Sequence, residues 1–315
     1  MTDSPLLGVA DPSAPARLAV GLVSAGRVGT ALAQALESVG HIVGAVVARS
    51  AQSRERVEQR LPDSLIFDNA ADVAARSELL ILAVPDDVLP AVVAELADSG
   101  AVRPGSIVVH VAGAHGVGVL APLTTRGALG LALHPAMTFV GGPEDTERLR
   151  SACFAVTAAD EVGHTVGASL VYEIGGQPVR IAEADRTLYH AALAHGANHL
   201  VALVSDAVTL LRSSIERADA DGTQSPLRAA QEMLAPLVTA ALGNVLELGP
   251  SALTGPVARG DADAVAAHLA ALRDWSSTAP PADAPIVDSY LAQARRAAAL
   301  VARSPELDRV LGEAS

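Results

Sequence analysis

Leu18-Ala-Val-Gly-Leu-Val-Ser24-Ala25-Gly26-Arg27-Val28-Gly29-Thr-Ala-Leu32 is the stretch that decides the fold. It opens with a continuous apolar run, which suits a strand buried on both faces. The chain then turns through Ser24, Gly26 and Gly29 into a segment where Leu32, Leu36 and Val39 share one helical stripe that Gly40 stops. Strand, tight turn and helix in this order form the first unit of a dinucleotide-binding sheet, with the G-x-G-x-x-G spacing and serine in the first place. The second glycine lets a pyrophosphate approach the backbone, and the third lets the helix pack closely on the strand. The first helical turn adds unpaired N–H groups and a partial positive charge. Ser24, Ala25, Gly26, Arg27, Val28 and Gly29 are therefore the expected phosphate cradle. Serine suits turn conformations that do not need positive φ, so Ser24 also leaves open a sheet domain whose site has decayed.

The next strand end indicates which dinucleotide. Arg49 stands twenty residues beyond Gly29, where an NAD site places an acidic residue for the ribose hydroxyls, and no carboxylate follows until Glu55. A guanidinium and the hydroxyl of Ser50 suit a 2′-phosphate, with Arg54 as a second charge. The alternative is a solvated basic loop. NADP is expected, ahead of NAD or a deazaflavin. Val84 and Pro85 end another apolar run, and Pro85 has no N–H to spare where the backbone turns beneath a nicotinamide. Asp86 and Asp87 can face the site or cap the helix that follows, Asp87 being the expected cap. Gly113, in Val111-Ala-Gly-Ala, leaves room for the ring.

Further runs (IVGAVVA, LLILAV, SIVVHV, LGLALH, CFAVT) alternate with amphipathic stretches, and a last strand is expected at Pro178–Ala182 after a helix near Gly163–Glu173. Alternating βα units imply a doubly wound parallel sheet. Beyond Ala182 only helical patterns remain: one from Asp185 towards Arg217, a polar break (DADGTQSP), one from Pro226 to Leu248, one capped by Asp261, and one from Pro285 to about Arg303. The expected domains are residues 16–182, dinucleotide-binding, and 183–315, helical.

The 22 Lys+Arg against 35 Asp+Glu leave a net charge of −13, and aromatic residues make up 2%, which together argue against a nucleic-acid binder. Cys153 is the only cysteine, so no internal disulfide can form, and as the start of a strand it reads as core. The first sixteen residues lack the pattern of a signal peptide. Every apolar stretch is interrupted before the roughly 20 residues a bilayer crossing needs. A soluble, cytoplasmic protein without membrane partners is expected.

The segments GLVSAGRVGTAL, LLILAVPDDVL, VVHVAGAHG, LALHPAMTF, RTLYHAALAHGANHLVAL and LTGPVARGD, in this order from about Leu18 to Asp261, resemble a bacterial family that pairs a Rossmann-like domain with a helical domain of unknown function, DUF2520, whose members are often taken as oxidoreductases. Its plan is similar to that of the 6-phosphogluconate and β-hydroxyacid dehydrogenases, pyrroline-carboxylate reductase and ketopantoate reductase. The resemblance implies a helical domain closing over the cofactor, commonly in a homodimer.

Reduction of a carbonyl needs an acid for the developing alkoxide and a group that holds the substrate. The wider superfamily uses a Lys, then an Asn, on the first helix of the second domain. This chain offers Tyr189-His190 there, and Asn198 two turns on, about 80° round the helix from His190. Protonated His190 is the expected general acid and Asn198 the substrate or oxyanion donor, unless both serve interdomain packing. His134, before Pro135 at a strand end, is the expected contact to substrate or carboxamide, or it pins the turn. Arg259, in Thr254-Gly-Pro-Val-Ala-Arg259-Gly-Asp261, suits a carboxylate clamp or else a supporting salt bridge. His195 and His199 stand at i and i+4 like half a zinc site, but HGANH lacks a glutamate, and no metal is expected.

The expected activity is NADP-dependent reduction of a small carboxylated carbonyl compound, a 2-oxo acid such as ketopantoate, or of an imine. The alternative is a non-catalytic NADP-binding sensor or structural dimer.

Overall fold

Both faces of the apolar strands are covered by helices, which is why the runs are continuous and not alternating. The structure is a computed structural model that describes residues 17–218, 225–301 and 304–313. By its contacts the chain divides into two compact units between Ala194 and His195.

The first unit is a mixed sheet of eight strands in the order β3-β2-β1-β4-β5-β6-β7-β8. The strands are β1 Ala19–Val23, β2 Ile42–Val47, β3 Leu65–Phe67, β4 Leu79–Leu82, β5 Ile107–His110, β6 Leu129–Pro135, β7 Cys153–Ala158 and β8 Gln177–Arg180. Helices α1 (Arg27–Ser38), α2 (Ala51–Arg60), α3 (Ala70–Ala74), α4 (Leu89–Ser99), α5 (Ala121–Thr124), α6 (Glu144–Leu149) and α7 (Glu161–Glu173) connect them. Alternate strand residues go to opposite layers. Leu79 and Ile81 join Leu32 and Leu36 of α1 and Val171 of α7, whereas Leu80 and Leu82 join Val73 of α3 and Val93 and Leu96 of α4. β1, β2, β3, β4, β5 and β6 run parallel, so their carboxyl ends lie along one edge.

β7 departs from the expected parallel order. It runs antiparallel to β6, with Leu131 opposite Ala158. The link between them crosses no face of the sheet: it carries α6, which lies against α1 through a Thr146 Oγ1 to Gln34 Oε1 hydrogen bond of 3.0 Å. Cys153 is exposed, not core. It is the first residue of β7, and burial starts at Phe154. The last strand ends at Arg180, two residues short of Ala182.

The long helix α8 (Arg186–Ala218) starts in the first unit and continues into the second. The second unit also holds α9 (Pro226–Leu248), α10 (Pro256–Arg259), α11 (Ala262–Ser276), α12 (Ile286–Ala298) and α13 (Pro305–Glu313). Asp261 caps α11, accepting from the Ala264 N–H at 3.1 Å. Val265, Leu269, Leu291, Ala294, Leu307 and Leu311 form its buried core. α12 stops at Ala298, short of the expected extension to Arg303, which lies outside the described residues, as do 219–224 of the polar break and the first sixteen residues. An 18-residue window within Pro226–Arg259 has a mean hydropathy of 1.3, enough by length and composition to cross a membrane. α9 runs through Pro236, and Arg228, Glu232 and Glu247 interrupt its apolar sequence.

Candidate functional site

Ser24 leaves β1 with φ of 80°, the only non-glycine residue with positive φ among those described. Sequence reasoning placed serine outside that region; the turn imposes it. An L-residue held there costs roughly 1–2 kcal/mol, and such strain gathers at ligand sites. Ser24→Gly is therefore expected to raise stability by about 1 kcal/mol, read as a higher denaturation midpoint in urea. An unchanged or lower midpoint would refute the strain.

Gly26 is the N-cap of α1, with no side-chain hydrogen bond and no acidic residue in the first turn, so the leading N–H groups await a partner. A Cβ at Gly26 would meet only Ser24 Oγ, at 3.9 Å, and would otherwise point into open space. At Gly29 a Cβ would lie 2.7 Å from both the Ser24 carbonyl oxygen and Ala83 Cβ, so this glycine sets how closely α1 approaches β4.

In front of the turn is a cavity of about 470 Å³. Ser24, Ala25, Gly26, Arg27, Arg49, Ser50, Val84 and Pro85 line it, whereas Val28, Gly29 and Arg54 do not. Arg54 turns to the surface, where its Nη2 is 3.3 Å from Asp68 Oδ1. Ser50 is committed to its own helix: it caps α2 in a capping box with Ser53. Arg56, which sequence reasoning passed over, lines the cavity and donates from Nη1 to the Ala25 carbonyl at 2.8 Å. An open cradle at Gly26, free amides at the helix start and guanidinium groups at Arg49 and Arg56 fit a phosphorylated dinucleotide.

Farther along the same sheet edge, the ends of β5 and β6 carry a second cluster. A side chain at Gly113 would strike His190 Cδ2 at 2.5 Å and His134 Nε2 at 3.1 Å, so the bare glycine lets both imidazoles close on the strand end. His134 Nδ1 lies 2.8 Å from the Tyr189 hydroxyl. Burial, then the neighbouring Arg186 and His190, push the His134 pKa down to about 4, which keeps the ring neutral at pH 7.

The chief residue that sequence reasoning missed is Arg186. It is 1% exposed. Its Nε donates to the His115 carbonyl at 2.8 Å and its Nη2 to the Ala112 carbonyl at 2.7 Å, while Nη1 is buried without a hydrogen-bond partner. Its Cζ stands 5.5 Å from the Tyr189 ring centre. Glu183 accepts from the Val117 and Gly118 N–H groups at 2.7 and 3.0 Å. Buried His110 accepts from the Ala112 N–H and donates from Nε2 to the Gly116 carbonyl. Asp86 ties in the preceding loop, accepting from the Ala114 N–H through its carboxylate and from His115 through its carbonyl. Asp87 does not cap α4: the Val88 and Leu89 N–H groups donate to the Pro85 carbonyl at 3.0 and 3.1 Å, and the helix starts after Val88 with no side-chain cap.

Asn198 and Arg259 belong to the second unit, and both are exposed. His195 Nδ1 and His199 Nδ1 are 2.8 Å apart, and among the described residues no group of three or more potential ligands forms.

A model described as a Rossmann-like domain matches residues 8–135, and one described as a domain of unknown function, DUF2520, matches residues 152–296. The chain joins a Rossmann-like domain to a DUF2520 domain. The DUF2520 match starts at Ala152, so it takes in β7, α7 and β8 as well as helices of the second unit. No curated protein matches the sequence. Among solved structures, a Bacteroides fragilis protein to which NADP oxidoreductase activity has been ascribed is 19% identical, covering 90% of this chain and 98% of its own, with a TM-score of 0.69. An imine reductase from Myxococcus stipitatus, in complex with NADP+, is 16% identical over 89% of this chain and 93% of its own, with a TM-score of 0.58. Pyrroline carboxylate reductase from Plasmodium falciparum, with NADP bound, is 11% identical over 90% and 98%, with a TM-score of 0.52. At these identities the likeness is one of fold.

Proposed function

We propose that this protein is an NADP-dependent oxidoreductase that reduces a small carboxylated carbonyl compound, or the corresponding imine. The observation that carries this is the cavity along Ser24–Arg27, with space in front of Gly26 and three arginines, Arg27, Arg49 and Arg56, in its lining. The turn and the start of α1 hold the pyrophosphate. Arg49 faces the 2′-phosphate, and Arg56 braces the turn through Ala25. Val84, Pro85 and Gly113 border the nicotinamide end, bringing it to the edge where His134 and His190 stand. NADPH bound there supplies the hydride. The imine stands beside the carbonyl because structural neighbours include an imine reductase and pyrroline carboxylate reductase. Asn198, a carboxamide donor, and Arg259, a guanidinium, have the chemistry to hold a substrate carboxylate.

Fluorescence titration should show NADPH binding more tightly than NADH or a deazaflavin. NADPH oxidation should then appear within a panel of 2-oxo acids, ketopantoate included, and cyclic imines. Absence of binding by all three cofactors would end this proposal. Tight NADPH binding without turnover across the panel would instead favour a non-catalytic sensor, which the strained Ser24 and the lack of a lysine at the start of α8 also suit.

The proposal extends to a homodimer. α9 leaves Met233, Leu237 and Leu248 on one stripe at 59%, 65% and 56% exposure, an apolar face that needs a cover. Arg228, Glu232 and Glu247 on α9 favour a protein cover over lipid. Sedimentation equilibrium should give twice the chain mass, and Leu237→Asp should shift the protein to monomer; a monomeric wild type would refute this.

A further inference from the structure

We infer that Tyr189 is the proton donor of the proposed reduction and that His134 is the residue that holds its hydroxyl ready. This rests on the oxidoreductase proposal above, and it moves the acid role from His190, where the sequence put it, to its neighbour. His190 packs the Cδ2–Nε2 edge of its ring beside Gly113, and no hydrogen bond among the described residues orients its ring nitrogens. Tyr189 makes the hydrogen bond that a donor needs. Its Oη is 2.8 Å from His134 Nδ1, with the two rings edge to face at 5.6 Å. Both residues are only half-buried, so a substrate can reach them.

Two tautomers satisfy this contact, and they have opposite consequences. With the imidazole proton on Nδ1, His134 donates to the tyrosine oxygen and leaves the phenol O–H directed elsewhere. With the proton on Nε2, the phenol must donate to Nδ1 and its hydrogen is tied up. The first arrangement is the one assigned here. As the carbonyl carbon gains its hydride, the C=O π pair moves to oxygen, and that oxygen takes the Tyr189 proton. The phenolate left behind still accepts from His134 Nδ1–H, and the Arg186 guanidinium 5.5 Å from the ring offsets its charge. Water returns the proton once product has left. For an imine the receiving atom is nitrogen.

The charged neighbours allow His134 to serve as a fixed neutral donor. Arg186 and His190 face it from α8 and Asp86 from the loop after β4, and with burial their sum disfavours a second proton on the ring. Tyr189 is faced by Arg186 and by Cys153 of β7; burial raises its pKa, so the phenol keeps its proton near neutrality.

Two measurements on the full chain test this. Nitrogen-15 NMR of the histidine rings at pH 7, with the His134 signals assigned by their loss in His134→Asn, should show a neutral ring protonated at Nδ1. A proton on Nε2 would overturn the inference, and this result does not depend on finding a substrate. For a substrate that turns over, Tyr189→Phe should lower kcat by about 100-fold or more, with KM and NADPH affinity within about threefold of wild type. Unimpaired kcat in Tyr189→Phe, with turnover abolished in His190→Ala, would return the acid role to His190 and refute it. Should NADPH fail to bind at all, the oxidoreductase proposal falls by that separate result.

Discussion

Arg49→Glu is expected to weaken NADPH binding about 100-fold while changing NADH affinity by less than about threefold. Arg49 lines the cavity at the end of β2, where the 2′-phosphate of the proposed cofactor would lie. A charge-assisted bond to phosphate contributes roughly 1.5–3 kcal/mol, and reversing the charge adds repulsion to that loss. The comparison with NADH isolates the phosphate, since NADH lacks it. Arg56→Ala should behave differently. Its guanidinium is hydrogen-bonded to the Ala25 carbonyl, so its removal loosens the turn and weakens both nucleotides together. Titrations at fixed ionic strength, needed because these charges are screened by salt, would decide it. Equal losses of NADPH and NADH in Arg49→Glu would mean that Arg49 does not face the phosphate.

Gly26→Ala and Gly29→Ala should separate the two uses of glycine in the turn. A Cβ at Gly26 would point into open space, so the free protein should keep its stability to within about 0.5 kcal/mol while losing both nucleotides by about 100-fold. A Cβ at Gly29 would press on a backbone carbonyl and on Ala83 Cβ, neither of which can swing aside. That change should destabilise the first unit by about 1–3 kcal/mol and move α1 off the sheet, with binding lost as a consequence. Urea denaturation and nucleotide titration of both variants provide the check. If Gly26→Ala bound NADPH as well as wild type, the pyrophosphate would have to be placed elsewhere.

What could be read from the residues is local. The strands were legible because runs such as LLILAV bury both faces and need no partner to be recognised. The direction of β7 was not, since an apolar run carries no sign of which way its neighbour points. The phase of α2 was also hidden. Arg54 and Arg56 are about 200° apart on a helix that buries only Val57, so nothing local showed which arginine faced inward. Arg186 was missed because a charged residue at a helix start usually lies in water, and its burial depends on carbonyls more than seventy residues earlier in the chain. The histidines of the second cluster were legible as chemistry, but the His134–Tyr189 contact spans 55 residues and needed the fold to appear.

Glu183, Arg186, Tyr189 and His190, all beyond the last strand, reach back to the loop that follows β5 or to His134. Anyone excising the sheet for crystallography or screening would naturally cut at Ala182, where the strands have ended. A fragment cut there would keep every residue of the turn at Ser24–Gly29, yet leave the Ala112–Gly118 loop without its carboxylate and guanidinium anchors. The serviceable cut lies after Ala194, where the contacts themselves divide.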